Sequence, residues 1–171
     1  MDDFVWRVSI AAVRDAGPFS DFPGIDRILS VLEGDLSLSV TGAPEIRLDP
    51  AAAPFAFPAD IPVSGAPIGG DVRDLNVMVR RGQCSATVER LAAGTARIDA
   101  GDEGWLMILA TGDARVTHDG EAMPLARYDA VLVQSPVPRA ITVSSNAPGF
   151  AIRLWVASAS RTTSPEPVRA E

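Results

Sequence analysis

The sequence predicts an all-β sandwich or barrel with few short helices, and three observations carry that expectation. Apolar residues fall in short alternating runs, the pattern of strands with one buried face. Fourteen glycines and fourteen prolines are spread along the chain and punctuate those runs every eight to twelve positions. At 47 % hydrophobic over 171 residues, the chain can bury a core of its own without staples.

In chain order, the first strand is expected over Val5-Trp6-Arg7-Val8-Ser9-Ile10. Periodicity alone leaves Ile25 to Leu32 open between helix and strand. Gly34-Asp35 followed by the alternating Leu36-Ser37-Leu38-Ser39-Val40 reads as a hairpin turn, so the segment before it reads as strand. Residues Ala51 to Pro67 carry prolines and alanines and are expected to form a long excursion between strands. Leu75 to Arg80, Ala86 to Leu91, Ala130 to Val133 and Val137 to Val143 read as further strands. From Ser158 to Glu171 Val168 is the one large apolar residue, and a mobile tail is expected after a single compact domain of residues 1–157.

Composition narrows the chemistry. A formal charge of −7 repels phosphate backbones and anionic membrane surfaces, so nucleic acid and membrane are not expected partners. All fifteen basic residues are arginine, which removes Schiff-base chemistry and lysine-dependent phosphate loops. The one cysteine, Cys84, cannot close an intrachain disulfide, and no basic stretch leading into an apolar run opens the chain. The expected compartment is the reducing cytoplasm. With one histidine, His118, a His/Cys metal set would need almost every such residue the chain has, so no metal and no cofactor are expected. His118 precedes Asp119-Gly120 and reads as an exposed hairpin residue, while Cys84 reads as a small buried thiol. Without a base beside it, neither the thiol nor any serine has the partner that nucleophilic catalysis requires.

An internal repeat is visible between the two halves. Leu29-Ser30-Val31-Leu32-Glu33-Gly34-Asp35 resembles Leu106-Met107-Ile108-Leu109-Ala110-Thr111-Gly112-Asp113, and Glu45 to Leu48 stands at nearly the same offset as Glu121 to Leu125. Spacing of this kind resembles a cupin-type β-barrel, a jelly roll of hairpins, here in two cupin-like halves of about residues 1–80 and 81–157.

Two segments are unlike strand filler. Phe19-Ser20-Asp21-Phe22-Pro23-Gly24-Ile25-Asp26-Arg27 sets aromatics around a Ser-Asp step and a tight Pro-Gly turn. In Asp74-Leu75-Asn76-Val77-Met78-Val79-Arg80, alternate residues divide into an apolar face of Leu75, Val77 and Val79 and a polar one of Asp74, Asn76, Met78 and Arg80. The polar face is equally compatible with an ordinary solvated surface.

Together with Trp6-Arg7-Val8-Ser9, and in the same order and spacing, these segments resemble the HutD/Ves family. Its motifs read approximately W-R-x-S, F-S-x-F-P-G-x-D-R and D-F-N-x-M-x-R. Leu75 stands for the usual phenylalanine, and Ala59 stands for glycine in Phe57-Pro58-Ala59-Asp60-Ile61-Pro62, the counterpart of F-x-G-D-x-P. The resemblance implies a cupin-type bicupin that binds a small molecule, in some members associated with histidine utilisation and in others carrying a stress-related name. It places the pocket on Arg7, Ser9, Ser20, Phe22, Arg27, Asn76, Met78 and Arg80.

Chemistry adds the expected guest. A small carboxylate of the formate, urocanate or N-formylglutamate class is recognised best by a guanidinium fork, for which Arg7, Arg27 and Arg80 are candidates. Asn76 both donates and accepts, Ser9 and Ser20 add hydroxyls, and Phe22 and Met78 supply apolar walls. Asp26 and Asp74 are expected to orient the arginines. On this reading Arg80→Ala weakens carboxylate binding by roughly 1.5 to 3 kcal/mol. The competing expectations are an isomerase or hydrolase with Asp74 or Asp26 as general base, and an interaction protein that forms a homodimer through its strand edges.

Overall fold

The computed structural model describes residues 4–135 and 140–156, which contain strands and turns and no helix. The few short helices expected from the sequence are therefore absent among the described residues. The expected tail lies outside them, as does the stretch 136–139.

Six strands precede residue 81: β1 (Trp6–Val13), β2 (Gly17–Pro18), β3 (Ile25–Val40), β4 (Ile46–Leu48), β5 (Phe55–Pro58) and β6 (Val63–Arg80). They form one sheet in the order β1-β6-β3-β4, with β2 added on β6 and β5 on β3. Eight strands follow: β7 (Cys84–Leu91), β8 (Gly94–Ile98), β9 (Trp105–Ala110), β10 (Ala114–His118), β11 (Glu121–Leu125), β12 (Ala130–Gln134), β13 (Ile141–Ser145) and β14 (Gly149–Val156). These make two four-stranded sheets, β12-β9-β14-β7 and β11-β10-β13-β8. None of the three sheets closes on itself, so the expected closed barrel is corrected to open sheets packed in layers. The ladders end at edge strands instead of meeting.

Side-chain alternation explains the layering. On β14, Phe150, Ile152 and Leu154 face the first sheet, where they meet Leu75, Val77 and Val79 of β6 and Trp6, Val8 and Ile10 of β1. Ala151, Leu106 and Ile108 face the other way and pack with Ile98, Val116, Ile141 and Val143 of the outer sheet. The β12-β9-β14-β7 sheet is thus apolar on both faces, which is why β9 reads as a continuous apolar run, Leu106-Met107-Ile108-Leu109-Ala110.

The expected hairpin at Gly34-Asp35 is not there. Both residues lie inside β3, whose pairing with β6 shifts register between Val31 and Glu33 and again between Glu33 and Asp35. Gly34 has φ +77°, and a Cβ there would stand 2.6 Å from the Asp71 carbonyl oxygen. The irregularity reverses parity along the strand. Leu29 and Val31 before it, at odd positions, share a core cluster with Leu36, Leu38 and Val40 after it, at even positions. The long paired strands therefore curl around their own core, which also takes Phe57 and Val63 from the segment expected to be an excursion. That segment instead contributes β5 and the start of β6. The corresponding Gly112-Asp113 is a turn between β9 and β10, so the two copies of the sequence repeat do different structural work.

Candidate functional site

The site begins with three neighbouring strands in register. Arg7 on β1 stands opposite Met78 on β6, which stands opposite Arg27 on β3; one step along, Ser9 faces Asn76, and the next step sets Ala11 beside Asp74. With a side-chain period of two, Arg7, Ser9, Asn76, Met78 and Arg27 emerge on the face turned away from the layered core, and their odd-even partners supply that core. The segment 14–22 crosses this face, tied down where the Phe19 amide donates to the Val63 carbonyl and the Phe22 amide to that of Ala59, both at 2.9 Å. Between strands and segment lies a cavity of about 550 Å³, lined by Arg7, Ser9, Ser20, Phe22, Arg27, Asn76 and Met78 of the expected set.

Arg27 is its most unusual member. Only 3 % of its surface is exposed, yet no carboxylate among the described residues lies within ion-pair distance of it. Its guanidinium carbon sits 5.3 Å from the Phe19 ring centre, 5.5 Å from Phe22 and 5.8 Å from Phe57, and one amino group donates to the Ser20 carbonyl at 3.3 Å. The rings offer their negative faces to the cation. Arg27 Nε has no hydrogen-bond partner. Burial lowers the Arg27 pKa, the Asp74 charge raises it, and the nearby Arg7 charge lowers it again. Arg7 itself is exposed at the cavity wall.

Asp74 forms the floor, fully buried, with one carboxylate oxygen accepting from Asn76 Nδ2 at 3.0 Å. Its other oxygen and Asn76 Oδ1 have no partner. Burial pushes the Asp74 pKa up, and the Asn76 hydrogen bond and the Arg27 charge pull it down by less. The polar face of β6 is therefore not a solvated surface: Asp74, Asn76 and Met78 are all buried.

Two expected residues fall elsewhere. Arg80, two residues beyond Met78 on the same face, does not line the cavity; its Nε donates to the Phe4 carbonyl at 3.1 Å, tethering the chain start to the end of β6. Asp26 points to the other face of β3 and accepts from Arg81 at 2.7 Å, so it neither orients a cavity arginine nor shares a site with Asp74. Ser20 lines the cavity, and its carbonyl accepts from Arg27. Sequence reasoning missed Phe19 as a cavity wall and Phe57 as a further ring against Arg27, although both stood inside the quoted motifs. The signal was cross-strand pairing of Phe57 with Arg27, which only the fold reveals.

Arg81 fixes the turn that aims Phe22. It donates to Asp26 and to Asp60, while Asp60 accepts from the Gly24 amide at 3.1 Å. These bonds hold Asp60 ionised below its ordinary pKa and raise that of Arg81. Ala59, where the resembling motif has glycine, is buried against Ile25 and Met78 and is not among the residues with positive φ, so alanine fits there without strain.

The remaining chemistry lies apart. His118 ends β10 at a hairpin turn made by Asp119 (φ 49°) and Gly120 (φ 85°), and is half-buried rather than exposed. Cys84 is buried and its thiol pKa is raised, so it stays protonated. Among the described residues no group of three or more His, Cys, Asp or Glu is placed to hold a metal ion, and no helix is long and apolar enough to cross a membrane.

Layered open sheets of this topology define a cupin-like, all-β protein. A cupin 2 conserved barrel domain protein from Leptotrichia buccalis has the same fold at a TM-score of 0.57, with 7 % identity over 91 % of this chain and 86 % of that one. The HutD family model matches residues 1–152, and the chain belongs to the HutD family. The structure of HutD from Pseudomonas fluorescens SBW25 in a formate condition is similar at a TM-score of 0.78 and 28 % identity, covering 91 % of this chain and 81 % of that one. An uncharacterised 21.2 kDa protein in the hutC 3′ region of Pseudomonas putida is 35 % identical over 136 residues, 78 % of this chain and 70 % of its own. Protein Ves from Citrobacter koseri is 40 % identical over 88 residues, half of this chain and 46 % of its own length.

Proposed function

We propose that this chain is a non-catalytic binding protein for a small carboxylate, of the formate, urocanate or N-formylglutamate class, and that occupancy of its cavity modulates histidine utilisation or a stress response. Arg27 carries the reading. A guanidinium buried on a cavity wall, with an unused N–H and, among the described residues, no carboxylate in direct ion-pair contact, has room for an anionic partner. Arg7, across Met78 at about 10 Å of strand spacing, provides a second cation at the same wall. Phe19, Phe22 and Met78 supply apolar lining beside these cations. The names borne by the HutD and hutC-region relatives direct the choice of pathway, that of Ves the stress alternative, and the formate condition makes formate a first ligand to try. The division of strands at Arg80 and Cys84, each side with its own apolar cluster, supports two cupin-like halves.

An isomerase or hydrolase finds less here, because Asp26, one of the two expected general bases, is outside the cavity and paired with Arg81. Calorimetric titration with formate, urocanate and N-formylglutamate tests the binding reading. At least one binds saturably without being consumed, and Arg7→Ala, a change on the exposed wall, weakens that binding by about 1.5 to 3 kcal/mol. No binding by any of the three, or equal binding by the Arg7 variant, overturns it.

A further inference from the structure

Asp74 has no part in the contacts just described, yet it shares Arg27's field from a floor without solvent. We propose that the cavity takes up its carboxylate guest together with one proton, and that Asp74 is where the proton resides. The proposal rests on the carboxylate-binding reading and adds its regulation by pH.

The placement makes the coupling hard to avoid. The charged residues that line the cavity are Arg7 and Arg14 with Asp15 from β1 and the turn after it, Arg27 from β3, and Asp74 from β6. Asp74 is flanked on β1 by Ala11 and on β3 by Val31, neither of which carries a charge, although the Ala11 backbone amide favours its ionised form. Arg27 is the cation that acts on it from β3, and Asn76 from its own strand supplies a single N–H. In the empty cavity that one guanidinium stabilises one ionised carboxylate at a distance. When an anion settles on Arg27, the same guanidinium must serve two carboxylates, one of them the fully buried Asp74, and like charges so close cannot both remain ionised at low cost. The guest is held by direct contact and by Arg7 as well. Asp74 has one oxygen without a partner and is already disfavoured as an anion by its burial, so it is the group that gains the proton.

The Asn76 carboxamide is a ready adapter. With Asp74 ionised, Nδ2 points at the carboxylate. With Asp74 protonated, the amide can turn so that its oxygen accepts from the new O–H and its NH2 is freed towards the guest, in keeping with a group that both donates and accepts. The proton balance is simple: one proton leaves the buffer and bonds to Asp74 as the anion enters, with no other bond made or broken.

Calorimetry of formate and N-formylglutamate binding, repeated at each pH from 4.5 to 8.5 in buffers of different ionisation heat, counts protons directly. The wild-type chain takes up about half a proton or more at the pH where the effect peaks, and its affinity falls by up to tenfold per pH unit in that window. Asp74→Asn binds with no uptake and a flat pH profile. Binding with no proton uptake at any pH in the wild type overturns the proposal while leaving the binding reading intact. Uptake lost in Asp15→Asn and kept in Asp74→Asn also overturns it, by moving the proton to the rim. Absence of binding overturns both. The wild-type count needs no variant to fold.

Discussion

Arg27 and Arg80 carry the same side chain on one face of neighbouring strands, and the fold gives them opposite tasks. Arg27 is enclosed by three phenylalanine rings at a cavity wall, whereas Arg80 spends its Nε on the Phe4 carbonyl. Spacing in the sequence could put both on the polar face but not say where the cavity ends, because that limit is set by the 14–22 segment folding back through long-range backbone bonds. The expected binding loss for Arg80→Ala is therefore reversed: carboxylate affinity stays unchanged while the melting temperature falls, as a paired titration and thermal scan would register. Gly34 offers a second single-residue test. Alanine at φ +77° with its Cβ 2.6 Å from a carbonyl oxygen costs about 1 to 3 kcal/mol, readable as a lower denaturant midpoint.

At the level of elements, the alternating runs made the strands legible and left their connections illegible. Trp6 to Ile10, Leu75 to Arg80 and Ala86 to Leu91 are all strand in the structure. Gly34-Asp35 has the residue types of a turn, yet the same left-handed glycine serves a register shift inside a long strand, and local chemistry does not separate the two. That irregularity also sets out Glu33, which accepts from Tyr128 and Arg127 of the turn before β12, with Arg73 at 3.6 Å. The Tyr128 hydrogen bond, followed by the arginine charges, holds Glu33 below the usual carboxylate range. A depressed pKa contributes stability above the unfolded value and loses it as pH falls through the folded one. Glu33→Gln is accordingly less stable than wild type at pH 7, and the two melting temperatures converge on acidification; a difference that persists at low pH would contradict the account.

Over the whole molecule, one sheet apolar on both faces packs against the first sheet on one side and the outer sheet on the other. All-β character followed from composition and period, whereas the residues around the cavity came from the family resemblance, with alternation grouping only Asp74, Asn76 and Met78 on one face of β6. The layering was not legible, since it depends on which apolar face meets which between strands far apart in the chain, as between Val77 and Ile152. Ile152 is fully buried between the first sheet and the second, and Ile152→Ala should cost about 2 to 5 kcal/mol in one cooperative transition, measurable by denaturant unfolding. Two separated transitions would show that the halves fold independently.

The central claim is that an anion enters one cavity and meets Arg27 and Arg7 there. The most direct measurement follows the arginine Nε–H resonances by nuclear magnetic resonance during a titration with formate. The account predicts saturable shifts of the Arg27 and Arg7 signals, at one common dissociation constant, with Arg80 and Arg81 unmoved. Equal drift of all arginine signals, or none at all, would contradict it.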